Sequence, residues 1–490
     1  MDSAIECANN GEKCLVRDDK NIGMMWLVKK NELIHHIGCA LRHSPDWVLT
    51  HTDIATQKAT IWAWANVSFP PWARPPIPLA DKIRLPVIKP LIKSKCFASG
   101  IGRSCTKPGH SCIRRVVSFA GNPCKSAWRR VSACISHMLK STRISADVLD
   151  ISEAPERLRE GIKSLPSLSC SCHRCGIPLH TFGVVVGDID QAYEQCSRER
   201  AWQGWHVLRH EFGEHNFVID KTDRKHVVVG SDFSRRGWPM PLNMIQHAIF
   251  SFLAADTNVS VGNTFHQLGG LAMGLVMSGV CLSLNMVQVE WSERIRLFSD
   301  PIFKKQFPID RFAVLILRYV DDVICVSSQL CGPCLSEFLS TLYPWNISYS
   351  GVSSQDIAVQ AFEWLNFKVF FRGTACRVSK SIHNWSWVWD GGERKKLSII
   401  PWCGRHTVQL THMRSYFICE VKSLATLGIP LHFQVLHLLT IALEFFLLGY
   451  PNKFVVGACI CNHSKAATIC SSLMRHFVKF LGAPEHNTQA

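Results

Sequence analysis

The chain is 490 residues long, 47% hydrophobic and 19% charged; this balance excludes a disordered chain and allows several subdomains around a sizeable core. Its net charge of +16 favours a polyanionic partner, nucleic acid first and an acidic membrane surface second. The 22 cysteines form no obvious disulfide framework at this length, and the opening MDSAIECANNGEKC lacks a signal-type apolar run, so reduced thiols in the cytosol or nucleus are expected.

Residues 1–81 read as an N-terminal extension ending in a linker, because the Pro-rich stretch Phe69 to Pro78 can continue neither a helix nor a central strand. From Lys82 to Lys140 there are thirteen Lys and Arg and no Asp or Glu. A solvated surface normally mixes both signs, so the stretch reads as a phosphate-contacting face. Cys170, Cys172, His173 and Cys175 then crowd together, with His180 nearby. Thiolate and imidazole suit zinc, but C-x-C-H-x-x-C is read as lacking the paired spacing of common zinc modules, and chance crowding in a cysteine-rich chain is the better reading.

From Phe182 a short apolar run, VVVGDID, ends in carboxylates, as a buried strand does when it delivers a side chain to its exposed end. The runs FAVLIL (Phe312 to Leu317) and VICV (Val323 to Val326) flank Arg318-Tyr319-Val320-Asp321-Asp322 and predict strand, tight turn, strand. Cys331-Gly-Pro-Cys334 adds a C-x-x-C in the following loop. Phe362 to Phe371 predicts one further strand. Met413 to Gly449 predicts helical segments broken at Gly428-Ile429-Pro430. Within it, Leu431 to Tyr450 is apolar enough to suggest a membrane span. It carries Glu444 as well as His432, Gln434 and His437, and a charge within lipid costs roughly 3 kcal/mol, so a buried soluble helix is expected.

Alone, Asp321-Asp322 is an ordinary turn pair. Asp188 supplies the missing third carboxylate, and two-metal nucleotidyl transfer needs two or three carboxylates brought together from separate strands. Asp190, two residues beyond Asp188, shares its strand face if the strand continues, and is a weaker ligand candidate.

The ordered set GDIDQAY, FHQLGGLAMG and RYVDD resembles motifs A, B and C of reverse transcriptases. The likeness is greatest to Penelope-like retroelement enzymes, which are related to telomerase reverse transcriptase. Arg114-Arg115-Val116-Val117-Ser118 looks like the family's Arg-Pro-Ile-Val-Ser. Gln267, Gly270, Met273 and Gly274 match its Gln-x-x-Gly-x-x-Met-Gly. Trp364-Leu365-Asn366 stands where the family has Phe-Leu-Asp, and Gly449-Tyr450-Pro451 matches its thumb motif. Two departures stand out. Leu275-Val276-Met277-Ser278-Gly279 replaces Ser-Pro-Leu-Ser-Pro, keeping only Ser278, and Leu85 to Pro90 reduces the family's Leu-Pro-Lys-Ile-His-Lys.

The resemblance, covering about residues 82 to 455, implies an α+β right-hand polymerase. Its parts would be fingers over 82–180, an antiparallel-sheet palm over 181–390, and a helical thumb with C-terminal tail over 391–490. It implies RNA-directed DNA synthesis with two Mg²⁺ or Mn²⁺ ions, an RNA template, a DNA primer and deoxynucleoside triphosphates. The implied catalytic residues are Asp188, Asp321 and Asp322, and the implied metal set is those three with Ile189. Arg114, with Lys89, would hold the triphosphate. Tyr193 would lie under the incoming sugar and reject a 2′-hydroxyl, and Gln267 and Gly270 would line the template and nascent base pair. The short stretch after Pro451 leaves no room for an endonuclease domain, so a pre-existing 3′ end is expected to prime. The altered segment at Leu275 motivates an alternative, a decayed or repurposed nucleic-acid-binding protein on the same fold. An RNA-templated RNA polymerase is a third reading, which Tyr193 opposes.

Overall fold

The computed structural model describes residues 12–17, 25–42, 47–67, 82–92, 113–118, 122–142, 144–220, 226–230, 237–254, 257–261, 264–354, 357, 359–381, 385–391, 406–427, 429–460 and 464–480. The Pro-rich segment Phe69 to Pro78, and Lys93, Lys95, Arg103 and Lys107 of the basic stretch, lie outside them.

In chain order the strands are β1 (Lys13–Arg17), β2 (Met25–Lys29), β3 (Trp47–Thr50), β4 (Val87–Ile92), β5 (Ile113–Ser118), β6 (Gly183–Ile189), β7 (Phe217–Asp220), β8 (Val227–Val229) and β9 (Gly237–Met240). They continue with β10 (Thr257–Val261), β11 (Thr264–Leu268), β12 (Val314–Tyr319), β13 (Asp322–Ser327), β14 (Ile347–Val352), β15 (Val359–Trp364), β16 (Phe367–Arg372) and β17 (Ala375–Lys380). Two sheets matter most. One runs β3-β11-β10-β4-β5 and joins the N-terminal extension to the basic stretch and to the Gln267 strand; the other, antiparallel, runs β12-β13-β6-β14.

The second sheet is covered on both faces, which is why its central strands read as unbroken apolar runs rather than alternating ones. Val185, Val323 and Cys325 face a core that includes Trp205, Leu284 and Phe338. Val184, Val186, Ile324 and Val326 face the opposite core with Leu158, Trp364, Phe367 and Phe371.

The predicted single strand over Phe362 to Phe371 is two strands, β15 and β16, with Trp364 opposite Phe367. Leu365 and Asn366 form the two-residue turn, Leu365 taking a φ of +58°. Apolar residues on both arms hid the turn; Asn366 was the one turn-forming residue in sight.

The helices His406–Thr426 and Leu431–Leu447 end and begin around Ile429-Pro430, as the sequence predicts. Together with Asn452–Ile460 and Lys465–Phe480 they enclose their own core of Met413, Phe417, Leu438, Phe445, Val455 and Met474. His437 and Glu444 are buried in that bundle. Among the described residues, no helix is long and apolar enough to cross a membrane.

Candidate active site

Antiparallel pairing of β6 with β13 sets Asp188 directly opposite Asp322. Residues opposite one another in an antiparallel pair point to the same face, and like charges so placed repel. The β12–β13 hairpin closes in two residues, Val320 and Asp321, with Tyr319 opposite Asp322. The turn folds back on β6, its Asp321 carbonyl accepting the Ile189 N–H at 3.0 Å. The three carboxylates therefore meet at one end of two adjacent strands.

Asp188 opens on solvent, yet its enclosure by protein, and then Asp321, Asp322 and Asp190, push its carboxyl up from 3.8 to about 6, against the opposing pull of Arg114. A carboxylate whose proton affinity is raised by enclosure and by neighbouring carboxylates is a candidate for a functional site. The donor set is all oxygen, which suits Mg²⁺ or Mn²⁺, and a divalent cation would relieve the same repulsion that raises Asp188. Ile189 is 1% exposed, with its side chain in the core, so it could ligate only through its main-chain carbonyl. Asp190 is turned to another partner, accepting from Ser348 Oγ at 2.8 Å.

The remaining sequence candidates fall around this point. Arg114 on β5 acts electrostatically on Asp188. On β4, Lys89 opposes Val116 and Leu91 opposes Arg114, so the alternation of side chains puts Lys89 and Arg114 on one face of the sheet. Arg115 points the other way and is ion-paired with Glu194. Burial, with Asp321 next in weight, pushes the Tyr193 phenol up to about 12, so it stays neutral at physiological pH. Gln267 lies on β11 between Asn258 and Val48.

Gly270 is a close-approach glycine, and what approaches is the turn after β6. A Cβ there would stand 1.9 Å from the Glu194 carbonyl oxygen and 2.7 Å from that of Tyr193. The next residue, Leu271, donates its N–H to the Tyr193 carbonyl at 2.8 Å. Gly274 takes a φ of +107°, and Met273 accepts the Val117 N–H at 2.8 Å. The FHQLGGLAMG loop thus fastens β5, with Arg114, to the turn carrying Tyr193. Beyond it, Leu275 opens the helix Val276–Val287, in which Ser278 is fully buried.

A buried charged group behind the hairpin escaped the sequence reading. Arg318 is 0% exposed. Its Nε donates to Glu290 Oε1 at 2.7 Å, its Nη2 lies 3.7 Å from Asp147 Oδ2, and its Nη1 donates to the Val320 carbonyl at 2.7 Å. Tyr343 also donates to Glu290, at 2.7 Å, and Ser283 donates to Asp147. Glu290 comes from a π-helical turn, Gln288–Glu293, set within a longer helix. Val320 has a φ of +59°, an unfavourable conformation for a β-branched residue. The only signal in the sequence was an arginine closing an apolar run.

No family model and no curated protein matches the chain. Among solved structures, telomerase from Candida albicans in complex with a TWJ fragment of telomeric RNA is similar at a TM-score of 0.55 and 10% identity, over 99% of this chain and 73% of that one. Apo telomerase from Candida tropicalis is similar at a TM-score of 0.49 and 11% identity, over 96% of this chain and 67% of that one. The first of these shows the fold alone, an α+β right-hand fold of the reverse-transcriptase kind.

Proposed function

We propose that the chain is an RNA-directed DNA polymerase that extends a primer 3′ end with deoxynucleoside triphosphates. The observation that carries this reading is the cross-strand pair Asp188 and Asp322, with Asp321 in the adjoining β12–β13 turn and Asp188 raised to about 6. Asp188, Asp321 and Asp322, with the Ile189 carbonyl, would hold two Mg²⁺ or Mn²⁺ ions. Such ions supply charge neutralisation for the triphosphate and activation of the primer 3′ oxygen. Arg114, with Lys89, would grip the phosphates, since a guanidinium fork matches phosphate oxygens. Tyr193 would lie beneath the sugar, and Gln267 and Gly270 would border the template and nascent pair.

The division into fingers over 82–180, palm over 181–390 and helical thumb from 391 is part of this reading. So is the finer kinship with Penelope-like elements, which rests on the motif set from Arg114 to Pro451. An RNA partner is favoured by the net charge of +16 and by the Candida albicans enzyme, whose structure holds telomeric RNA. The described cysteines are free thiols, in keeping with a nuclear or cytoplasmic location.

The test is primer extension by the purified chain, with an RNA template, a DNA primer, deoxynucleotides and Mg²⁺ or Mn²⁺. The expected result is extension that Asp321→Asn abolishes; full extension by that variant overturns the assignment. A second reading, nucleic-acid binding without turnover, is favoured by the Leu275 to Gly279 departure. Salt-dependent binding to an RNA–DNA hybrid, with no incorporation under either metal, would establish it instead.

A further inference from the structure

At the opposite end of β6 and β13 from the carboxylates, four thiols converge. Cys172, Cys175, Cys331 and Cys334 place their Sγ atoms within 4.8 Å of one another, the one such group of three or more metal-ligating side chains among the described residues. Cys175 Sγ is 3.6 Å from Cys331 Sγ. Zinc–sulfur bonds of about 2.3 Å in a tetrahedron separate the sulfurs by about 3.8 Å, and Cys₄ with paired C-x-x-C spacing is a common structural zinc set. We infer that these four cysteines form a structural zinc site that fastens the ends of the two strands carrying Asp188 and Asp322.

Each half-site is shaped for the purpose. The first, Cys172-His-Arg-Cys175, bends back through Gly176, whose N–H reaches the Cys172 carbonyl at 2.8 Å and whose φ is +74°. The second, Cys331-Gly-Pro-Cys334, opens the helix Gly332–Leu342. The Cys331 N–H points at Cys172 Sγ across 3.4 Å, the kind of amide–sulfur contact that supports a thiolate. Cys172, Cys331 and Cys334 are buried while Cys175 is at the surface, giving a shielded site with an entry side. Cys170 is exposed and outside the cluster. His173 is engaged elsewhere, with Ser169 Oγ at 2.8 Å and the Pro308 carbonyl at 3.1 Å.

The location explains what the ion would do. β6 and β13 pair from Asp188–Asp322 at one end to Gly183–Ser327 at the other. The loops leaving that second end are already laced together: Ser169 N–H to Ser328 O and His173 N–H to Gln329 O, both at 2.9 Å. Arg174, between the first two thiols, is ion-paired with Glu337, one turn beyond Cys334. Because the side-chain period of a strand is two residues, a slip of one would separate Asp188 from Asp322. A metal bridging both loops resists that slip, and its binding free energy is folding free energy.

This inference does not depend on polymerase activity, and its test measures metal. The full chain is purified without chelator and its zinc content is measured by inductively coupled plasma mass spectrometry. The expected result is one zinc per chain, retained in Cys170→Ser and lost in the double variant Cys175→Ser/Cys334→Ser. If that variant fails to fold, Co²⁺ exchange into the wild-type chain decides, the expected spectrum being the intense visible bands of a tetrahedral thiolate site. Wild-type protein with no bound zinc and no such cobalt bands overturns the proposal, as do disulfides among the four cysteines or an iron–sulfur cluster in their place.

Discussion

Arg318 and Val320 are joined by a hydrogen bond from Nη1 to the carbonyl at 2.7 Å, within the strand and turn that present Asp321. A fully buried guanidinium shared among Glu290, Asp147 and this turn ties the conformation of Val320 to two buried charges. Val320 at a φ of +59° pays a conformational penalty of order 1–3 kcal/mol, sustained only when surrounding structure fixes it. The conformation of the hairpin tip is thus fixed by an ion network beneath it.

Arg318→Leu should leave Glu290 and Asp147 buried without their cation. Breaking a buried pair in this way costs about 3–5 kcal/mol, read as a fall in the urea midpoint. Arg318→Lys keeps the charge but cannot span all three partners. It should lose less stability than the leucine variant and still lower primer extension, because the turn loses its tie. A lysine variant with wild-type extension would separate the network from the site.

The pH dependence follows from Asp188. Its folded value of about 6 exceeds the ordinary 3.8, so the folded chain binds the extra proton. The contribution of Asp188 to stability should therefore fall as pH rises through the window from about 4 to about 6, the direction opposite to that of a salt-bridged carboxylate. Asp188→Asn should flatten that slope in metal-free urea melts. Added Mg²⁺ should restore stability above pH 6 in the wild type and do little in the variant. A metal-free melt whose midpoint rises across this window, and rises less in Asp188→Asn, would mean that Asp188 is stabilised as an anion.

Two glycines give a matched pair. Gly270→Ala drives a Cβ to 1.9 Å from a backbone oxygen, which has no side-chain freedom with which to retreat, whereas a Cβ at Gly457 meets nothing within 4 Å. Gly270→Ala should destabilise by about 1–3 kcal/mol and shift Tyr193, lowering incorporation. Gly457→Ala, inside the helix Asn452–Ile460, should stabilise by up to about 1 kcal/mol. Thermal melts of both variants read these signs directly.

The candidate carboxylates were legible because each sits where an unbroken apolar run stops, and both faces of β6 and β13 are buried. The break before Leu431 was legible because Pro430 cannot continue the preceding helix. What stayed hidden was assembled by the fold. Cys175 and Cys331 are 156 positions apart, and reading Cys172 to Cys175 together with Cys170 and His173 masked one C-x-x-C pair whose partner lay beyond the hairpin. Arg318 finds its anions at positions 147 and 290, and no local spacing announces either. Gly270 reads as lining the template and nascent pair; the backbone packed against it is that of Glu194, a contact that needs the tertiary structure to see.

Tyr193 offers the most specific test of the proposed chemistry. Its main chain is held by the bond from the Leu271 N–H to its carbonyl at 2.8 Å, and its ring packs, partly buried, against the main core. A ring so fixed can act as a wall against a 2′-hydroxyl, and the wall is the ring, not the phenol. Tyr193→Phe should therefore keep the preference for deoxynucleotides, and Tyr193→Ala should relax it. The loss is expected mainly as a lower KM for ribonucleotides, by roughly 10-fold or more, since each 1.4 kcal/mol of removed steric penalty is tenfold. The ratio of kcat/KM for deoxy- and ribonucleotides, measured on one template for all three proteins, decides it. An unchanged ratio in Tyr193→Ala would move sugar selection to another part of the site.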